Sequence, residues 1–403
     1  MVAHAPDGVS AEPMAQTVPV DNDQKNNVEY RTENGQIDRE KNKDSSISLP
    51  TIDDFRHAIP AHCFERNITR SLRYLIQDYA VLIALYITVP YFEYYGHIFG
   101  LILWYCLVGV FGFALFVVGH DCLHGSFSDS QLINDICGHI AYAPIFAPYY
   151  PWQKSHKLHH RFTNHLEKDK GHPWNQEMYY ISWPFWKKYF SAFPLSGWIE
   201  WIPVYTVFGY SDGSHFWPWS RLFERNEERI KCVFSCTMCF LCAYASFLIC
   251  GSDLYTWFKY YWIPLSFYGL MLVMVTYLQH HGEQSEVYDD GEWSFVRGQT
   301  QTIDRTYGFG LDDAMHNITD GHVAHHLFTK IPHYHLLDAT ESVKKVLEPL
   351  KHTPYNYKHE ISYDFFTRFL WYNIKYDYLI SKCKGIWQYR RTVLEEKLSS
   401  KMQ

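Results

Sequence analysis

Two histidines close the string "VVGHDCLHGS" (residues 117–126), and their H-x3-H spacing sets His120 and His124 on one face of a helix. A second pattern, H-x2-H-H, occurs twice: "HKLHH" contributes His156, His159 and His160, and "HVAHH" contributes His322, His325 and His326. His280 ends an apolar run in "TYLQHHGE", with His281 as its adjacent competitor. Helix positions three and four apart lie about 5–6 Å from each other, so H-x2-H-H turns up to three imidazoles toward one point. Neutral imidazole suits zinc, copper, iron and nickel. The nine candidates exceed the three or four protein ligands of one zinc and fit two metals, each with an open position. Two imidazole-held metals with room between them suit oxygen chemistry. That includes removing hydrogen from an unactivated methylene, which no side chain does unaided.

Any one of these groups alone reads more readily as surface histidine, so the elements that carry them decide. Four stretches are long and apolar enough to cross a bilayer, at about 74–94, 98–119, 232–252 and 260–279. The second, "IFGLILWYCLVGVFGFALFVVG", would be roughly 33 Å long as a helix at about 1.5 Å per residue. The first is the weakest, because Asp78 leaves only "YAVLIALYITVPYF" free of charge and the span must recruit Leu75 and Ile76. A fifth apolar run, 136–153, holds Pro144, Pro148 and Pro151 and reads as re-entrant or interfacial. Arg66, Arg70 and Arg73 precede the first span, while the turns near Glu93 and Asp253 carry almost no Lys or Arg. The positive-inside rule then puts the N-terminus, residues 120–230 and residues 280–403 in the cytosol, with every histidine group on that face. The sequons at Asn67 and Asn317 fall there too and should carry no sugar.

Residues 1–50 are polar and read as a disordered cytosolic tail, 51–390 as a membrane domain, and 391–403 as a charged C-terminal tail. Aromatics make up 18% of the chain, and many of its 14 tryptophans lie where apolar runs end or between Trp183 and Trp219, as interfacial side chains do. A net charge of −7 indicates no nucleic-acid partner. Five of the ten cysteines crowd into 232–250, which reads as buried thiols on a lipid-embedded helix rather than a metal cluster. No phosphate-binding loop, nucleophile elbow or dinucleotide fingerprint occurs. A histidine-rich metal transporter is the rival of another class. Transporters place polar ligands near the midplane of their spans, and these spans hold almost none.

HDCLH, HKLHH and HVAHH resemble the three histidine boxes of membrane fatty acyl desaturases. The third box opens on His322, where front-end desaturases have Gln, and no HPGG haem motif is present. The chain therefore resembles the methyl-end group, nearest the nematode omega-3 and Δ12 desaturases. "GSFSD", "PWQKSHKLHH", "EWSFVRGQTQTIDR" and "GHVAHHLFTKIPHYHL" extend the likeness over roughly residues 50 to 390. "FGFALFVVGHDCLHGSFSD" and the opening "MVAH" resemble the omega-3 enzyme, and "EKDKGHPW" the Δ12 one.

The resemblance implies an all-α integral membrane protein: four transmembrane helices under a cytosolic helical cap that holds a histidine-ligated di-iron site. It carries iron ligation onto His120, His124, His156, His159, His160, His322, His325 and His326, and onto His280 after the last span. His316 is either a tenth ligand or a residue bracing one. Asp121 and Asp320 are the best placed of five acids, with Asp129, Asp169 and Asp304, to accept from a ligand's free ring N–H. His165 and His172 are expected to be surface or loop-anchoring residues, and His333 and His335 to serve the loop beneath the third box. The implied reaction uses O2 and two electrons from cytochrome b5 and its NADH-dependent reductase, at the endoplasmic reticulum membrane. It places a cis double bond in 18- and 20-carbon unsaturated acyl chains, lined by residues such as Phe113 and Tyr277. Δ12 desaturation is the alternative, with hydroxylation or acetylenation by the same oxidant behind it.

Overall fold

The computed structural model describes residues 49–171, 174–191, 212–282, 284–348, 356–359 and 378–402. The expected N-terminal tail up to residue 48, His172 and residues 192–211 of the tryptophan-rich stretch lie outside them. In chain order the helices are α1 Ile52–Ala58, α2 Ile68–His124, α3 Gln131–Tyr142, α4 Tyr149–Phe162, α5 Glu177–Ser182, α6 Phe185–Ser191, α7 Asn226–Ile249 and α8 Leu254–Leu278. Strand β1 Glu286–Tyr288, helix α9 Phe295–Gln299, strand β2 Ile303–Thr306 and helices α10 Leu311–Ala314, α11 His322–Leu327 and α12 Leu336–Leu347 follow. The chain closes with β3 Asn356–His359, β4 Leu379–Cys383, β5 Ile386–Tyr389 and α13 Arg390–Met402.

Three helices, α2, α7 and α8, are long and apolar enough to cross a membrane. α2 is not one rod. His97 takes φ 46° and ψ −134°, outside the helical range. Trp104 Nε1 donates to the Leu85 carbonyl at 2.8 Å, although 19 positions along a straight helix would be roughly 28 Å. The chain therefore doubles back at His97 into two arms, 68–96 and 98–124, within which the stretches 74–94 and 98–119 fall. Gly100 permits the tight return, since a Cβ there would lie 2.1 Å from the Phe92 carbonyl oxygen. α7 and α8 form the second hairpin. Tyr260 Oη donates to Glu93 at 2.8 Å and Lys259 pairs with it at 2.5 Å, so the two hairpin turns meet at one end of the bundle. Apolar side chains such as Phe240, Leu241, Tyr244 and Leu248 face outward on α7, as a lipid-facing surface requires.

The proline-containing run 136–153 is a helix, a turn and a second helix. α3 buries Cys137, Ala141 and Tyr142 and turns Leu132, Ile136 and Ile140 outward at four-residue spacing. This apolar outer stripe agrees with an interfacial segment. The core lies where arm 98–124, α3, α8 and α11 meet, and includes Phe113, Phe116, Leu123, Tyr142, Leu272, Val275, Val323 and Leu327.

The all-α expectation needs correcting to mostly helical. β1, β5 and β4 make a three-stranded antiparallel sheet, and β2 pairs in parallel with β3. These strands are three to five residues long, too short for an alternating pattern to stand out in the sequence.

Candidate metal centre

Four elements deliver the nine imidazoles. α2 ends on His120 and His124, where Gly125 at φ 68° caps the helix and turns the chain away. α4 carries His156, His159 and His160, and α11 carries His322, His325 and His326. His280 lies two residues past the end of α8, its N–H bonded back to the Tyr277 carbonyl at 3.1 Å.

The rings converge into two groups. In the first, ligand nitrogens of His120, His124, His156, His160 and His325 all lie within 4.8 Å of one another. Nε2 of His120 stands 2.6 Å from that of His156 and 3.2 Å from that of His124. Nε2 of His160 stands 2.9 Å from that of His156 and 3.1 Å from that of His325. The second group joins His159, His280 and His326, and His322 adds its Nε2 at 3.1 Å from that of His280. The rings of His160 and His326 stack at 4.0 Å, so the groups are neighbours.

Several hydrogen bonds fix which nitrogen faces inward. His159 Nδ1 donates to Asp169 at 2.8 Å, and His322 Nδ1 donates to the Ile318 carbonyl at 3.2 Å. His326 Nδ1 donates to Gln299 Oε1 at 2.9 Å, while Gln299 Nε2 donates to the His160 carbonyl at 2.7 Å. Asp304 accepts the Val323 N–H at 2.8 Å and so seats the first turn of α11.

A metal fits this arrangement. Metal–nitrogen bonds of about 2.0–2.1 Å put ligand nitrogens on one ion roughly 3.0–3.4 Å apart, the range most of these pairs occupy. Lone pairs turned on each other at such distances repel unless a cation lies among them. Burial, with the neighbouring imidazoles second, holds the pKa values of His160, His325 and His326 well below the ordinary histidine range. Burial likewise brings His322 down to about 3. Burial thus favours the neutral form of these four rings, the form that binds metal.

The other expected residues fall elsewhere. His281 stacks on Tyr277 at 4.1 Å, lies 4.8 Å from Trp174 and hydrogen-bonds with Tyr389, away from both groups. His316 belongs to neither group; its Nε2 pairs with Asp78 at 2.8 Å. Asp121 accepts from Nδ1 and the backbone N–H of His333, at 2.7 and 3.1 Å, instead of from a ring of the nine. Asp320 is pushed up to about 6, first by burial and then by Asp312. Asp129 pairs with Arg66. His165 ties a loop through Asp290 at 3.0 Å, and His335 packs edge-on against His62. Of the five acids, Asp169 bonds a box imidazole, that of His159. Sequence reasoning passed over Gln299, Asp212 and His215. Gln299 sits inside the quoted "RGQTQTIDR", but no spacing rule links it to His326, 27 positions on.

Comparison with known proteins agrees with this geometry. Residues 96–359 match the family described as Fatty acid desaturase. The chain is 58% identical over 405 residues, covering all of both chains, to the omega-3 fatty acid desaturase fat-1 of Caenorhabditis elegans. It is also 58% identical over 346 residues to the Delta(12) fatty acid desaturase fat-2 of that organism, covering 86% of this chain and 92% of the relative. An Arabidopsis thaliana acyl-lipid omega-3 desaturase, named for cytochrome b5 and the endoplasmic reticulum, is 36% identical over 81% of this chain and 84% of its own length. Histidines grouped by geometry and similarity running from end to end thus meet on one assignment: this chain belongs to the fatty acid desaturase family, a family of oxidoreductases.

Proposed function

We propose that this desaturase is an omega-3 enzyme that inserts a cis double bond near the methyl end of 18- and 20-carbon unsaturated acyl chains. The observation that carries it is the pair of convergent imidazole groups in a chain similar to an omega-3 desaturase from end to end. Two irons would be held there, one by His120, His124, His156, His160 and His325, the other by His159, His280, His322 and His326. When bound, iron supplies an oxidant derived from O2 that is strong enough to take hydrogen from a methylene.

The chain's own residues hold and exclude. Asp169, Gln299 and the Ile318 carbonyl keep the rings turned inward, and the packing of α2, α4, α8 and α11 keeps bulk water out. The acyl chain would enter between the apolar helices, with Phe113 and Tyr277 among its lining. The two arms of α2 with α7 and α8 would make four spans in the endoplasmic reticulum membrane, the imidazoles and both termini on the cytosolic side. Electrons would come from cytochrome b5, as the name of the Arabidopsis relative suggests, with an NADH-dependent reductase behind it.

Δ12 desaturation is the second reading, favoured by the equal identity to fat-2. Yeast expressing the chain and fed 18:1, 18:2 and 20:4 acids distinguishes the two by gas chromatography of fatty-acid methyl esters. New 18:3 and 20:5 are expected. Formation of 18:2 from 18:1 alone would assign it as Δ12, and no new double bond would overturn both.

A further inference from the structure

Beside the imidazole groups lies a small cavity, edged by buried polar side chains, that metal binding does not use. It is lined by Trp152, Ser155, Gly171, Asp212 and His215, and by one histidine from each group, His156 and His159. Its volume is about 20 Å³, room for about one water.

Three buried polar atoms at this cavity have no hydrogen-bond partner among the described residues: Asp212 Oδ1 and both ring nitrogens of His215. Asp212 is 6% exposed and His215 5%. Burying a polar atom without a partner is costly, so three in one place call for a small polar ligand. His215 Nε2 lies 3.8 Å from Asp212 Oδ2, too far for a direct bond, and Ser155 Oγ donates to that same oxygen. The loop is built to present the imidazole. Gly213 takes φ 111°, where a side chain would be strained and a Cβ would crowd Arg221 at 3.0 Å. The His215 carbonyl accepts weak bonds from the thiols of Cys232 and Cys236 at 3.4 and 3.6 Å, fastening the loop to α7. Trp152 closes one side, its ring 5.1 Å from that of His215.

We propose that Asp212 and His215 hold water beside the paired metal sites, and that this port delivers the protons consumed when O2 is reduced. The inference rests on the desaturase reading above. Its chemistry requires such a port: R–CH2–CH2–R′ + O2 + 2 e⁻ + 2 H⁺ gives R–CH=CH–R′ + 2 H2O. Two C–H bonds and the O–O bond break, and the new C=C bond and four O–H bonds form. The acyl chain supplies two of the hydrogens, and a one-electron carrier supplies both electrons. The remaining two protons must come from solvent into a closed site. A neutral imidazole accepts at one nitrogen and donates at the other, so His215 with one bound water spans from the Asp212 carboxylate toward the ligand rings.

The test uses full-length protein in lipid nanodiscs with cytochrome b5, its reductase and NADH. Wild type must first form product; if it forms none, the desaturase reading fails and not this one. His215→Phe fills the same volume without polar atoms. It should keep the wild-type iron content while product per NADH falls roughly 100-fold and the lost electrons appear as peroxide. His215→Gln, which still holds water, should recover part of the coupling. Wild-type coupling in His215→Phe, or loss of its iron, would overturn the proposal. A cryo-EM map of the wild type tests it without any variant. Ordered density within hydrogen-bond distance of a His215 nitrogen is expected, and a dry cavity would refute the port.

Discussion

Truncating one imidazole leaves an ion under-coordinated and a buried void beside it. His160→Ala or His325→Ala should therefore abolish product while the protein stays in the membrane, with iron per chain reduced; retained activity would remove that residue from the ligand set. Gln299 touches both groups, through the His326 ring and the His160 carbonyl. Gln299→Ala should weaken iron retention or activity by about 10–100-fold, the usual effect of losing a partner that orients a ligand. Iron content and product yield measured together would check this, and unchanged values would show that Gln299 only packs. Acid should act on the iron-free protein in a definite direction. Burial holds His322 at about 3 against an ordinary 6.5, so between those values the unfolded chain binds the proton and the folded chain does not. Stability should be full above pH 6.5 and decline as pH falls toward 3, followed as the thermal midpoint. A midpoint that rises on acidification would contradict the buried neutral rings. The ligand rings were legible from spacing because i, i+3 and i+4 fix a helix face. Their partners were less so: Asp169 was one of five candidate acids and not among the two ranked best placed, and Gln299 reaches His326 through a turn that no periodicity describes.

The first arm of α2 shows how an element tolerates a residue that lipid disfavours. Asp78, which weakened the sequence case for this span, is 1% exposed and pairs with His316 from the segment before α11. The rings of His316 and His333 lie 4.7 Å apart, and His333 bonds Asp121 at the end of the other arm. This chain of contacts pins the approach to the third box against both arms. Asp78→Ala or His316→Ala alone strands a buried polar partner and should destabilise by about 3–5 kcal/mol. The double variant should be milder than the sum of the two, as read from detergent-solubilised thermal melts. Strict additivity would show that the pair does not interact. Sequence displayed the hairpin lengths, because apolar runs and the charge-poor turns near Glu93 and Asp253 bound them. It did not display the pairing of Asp78, which joins positions 238 apart. Nor did it display the strands, whose partners come from opposite sides of the box segments.

On the scale of the whole molecule, two helical hairpins turn at one end and gather all nine imidazoles toward the other. On the proposed function, that polarity would let an oxidising site meet an acyl chain at the edge of a bilayer. It also implies that Asn67 and Asn317, on the imidazole side, stay unglycosylated in a eukaryotic host. A mobility shift on glycosidase treatment would contradict it. The most direct measurement is anomalous scattering at the iron edge from crystals of purified, active protein. Two iron peaks are expected, one among His120, His124, His156, His160 and His325 and the other among His159, His280, His322 and His326. A single peak, or active protein with no iron at either position, would contradict a paired iron centre.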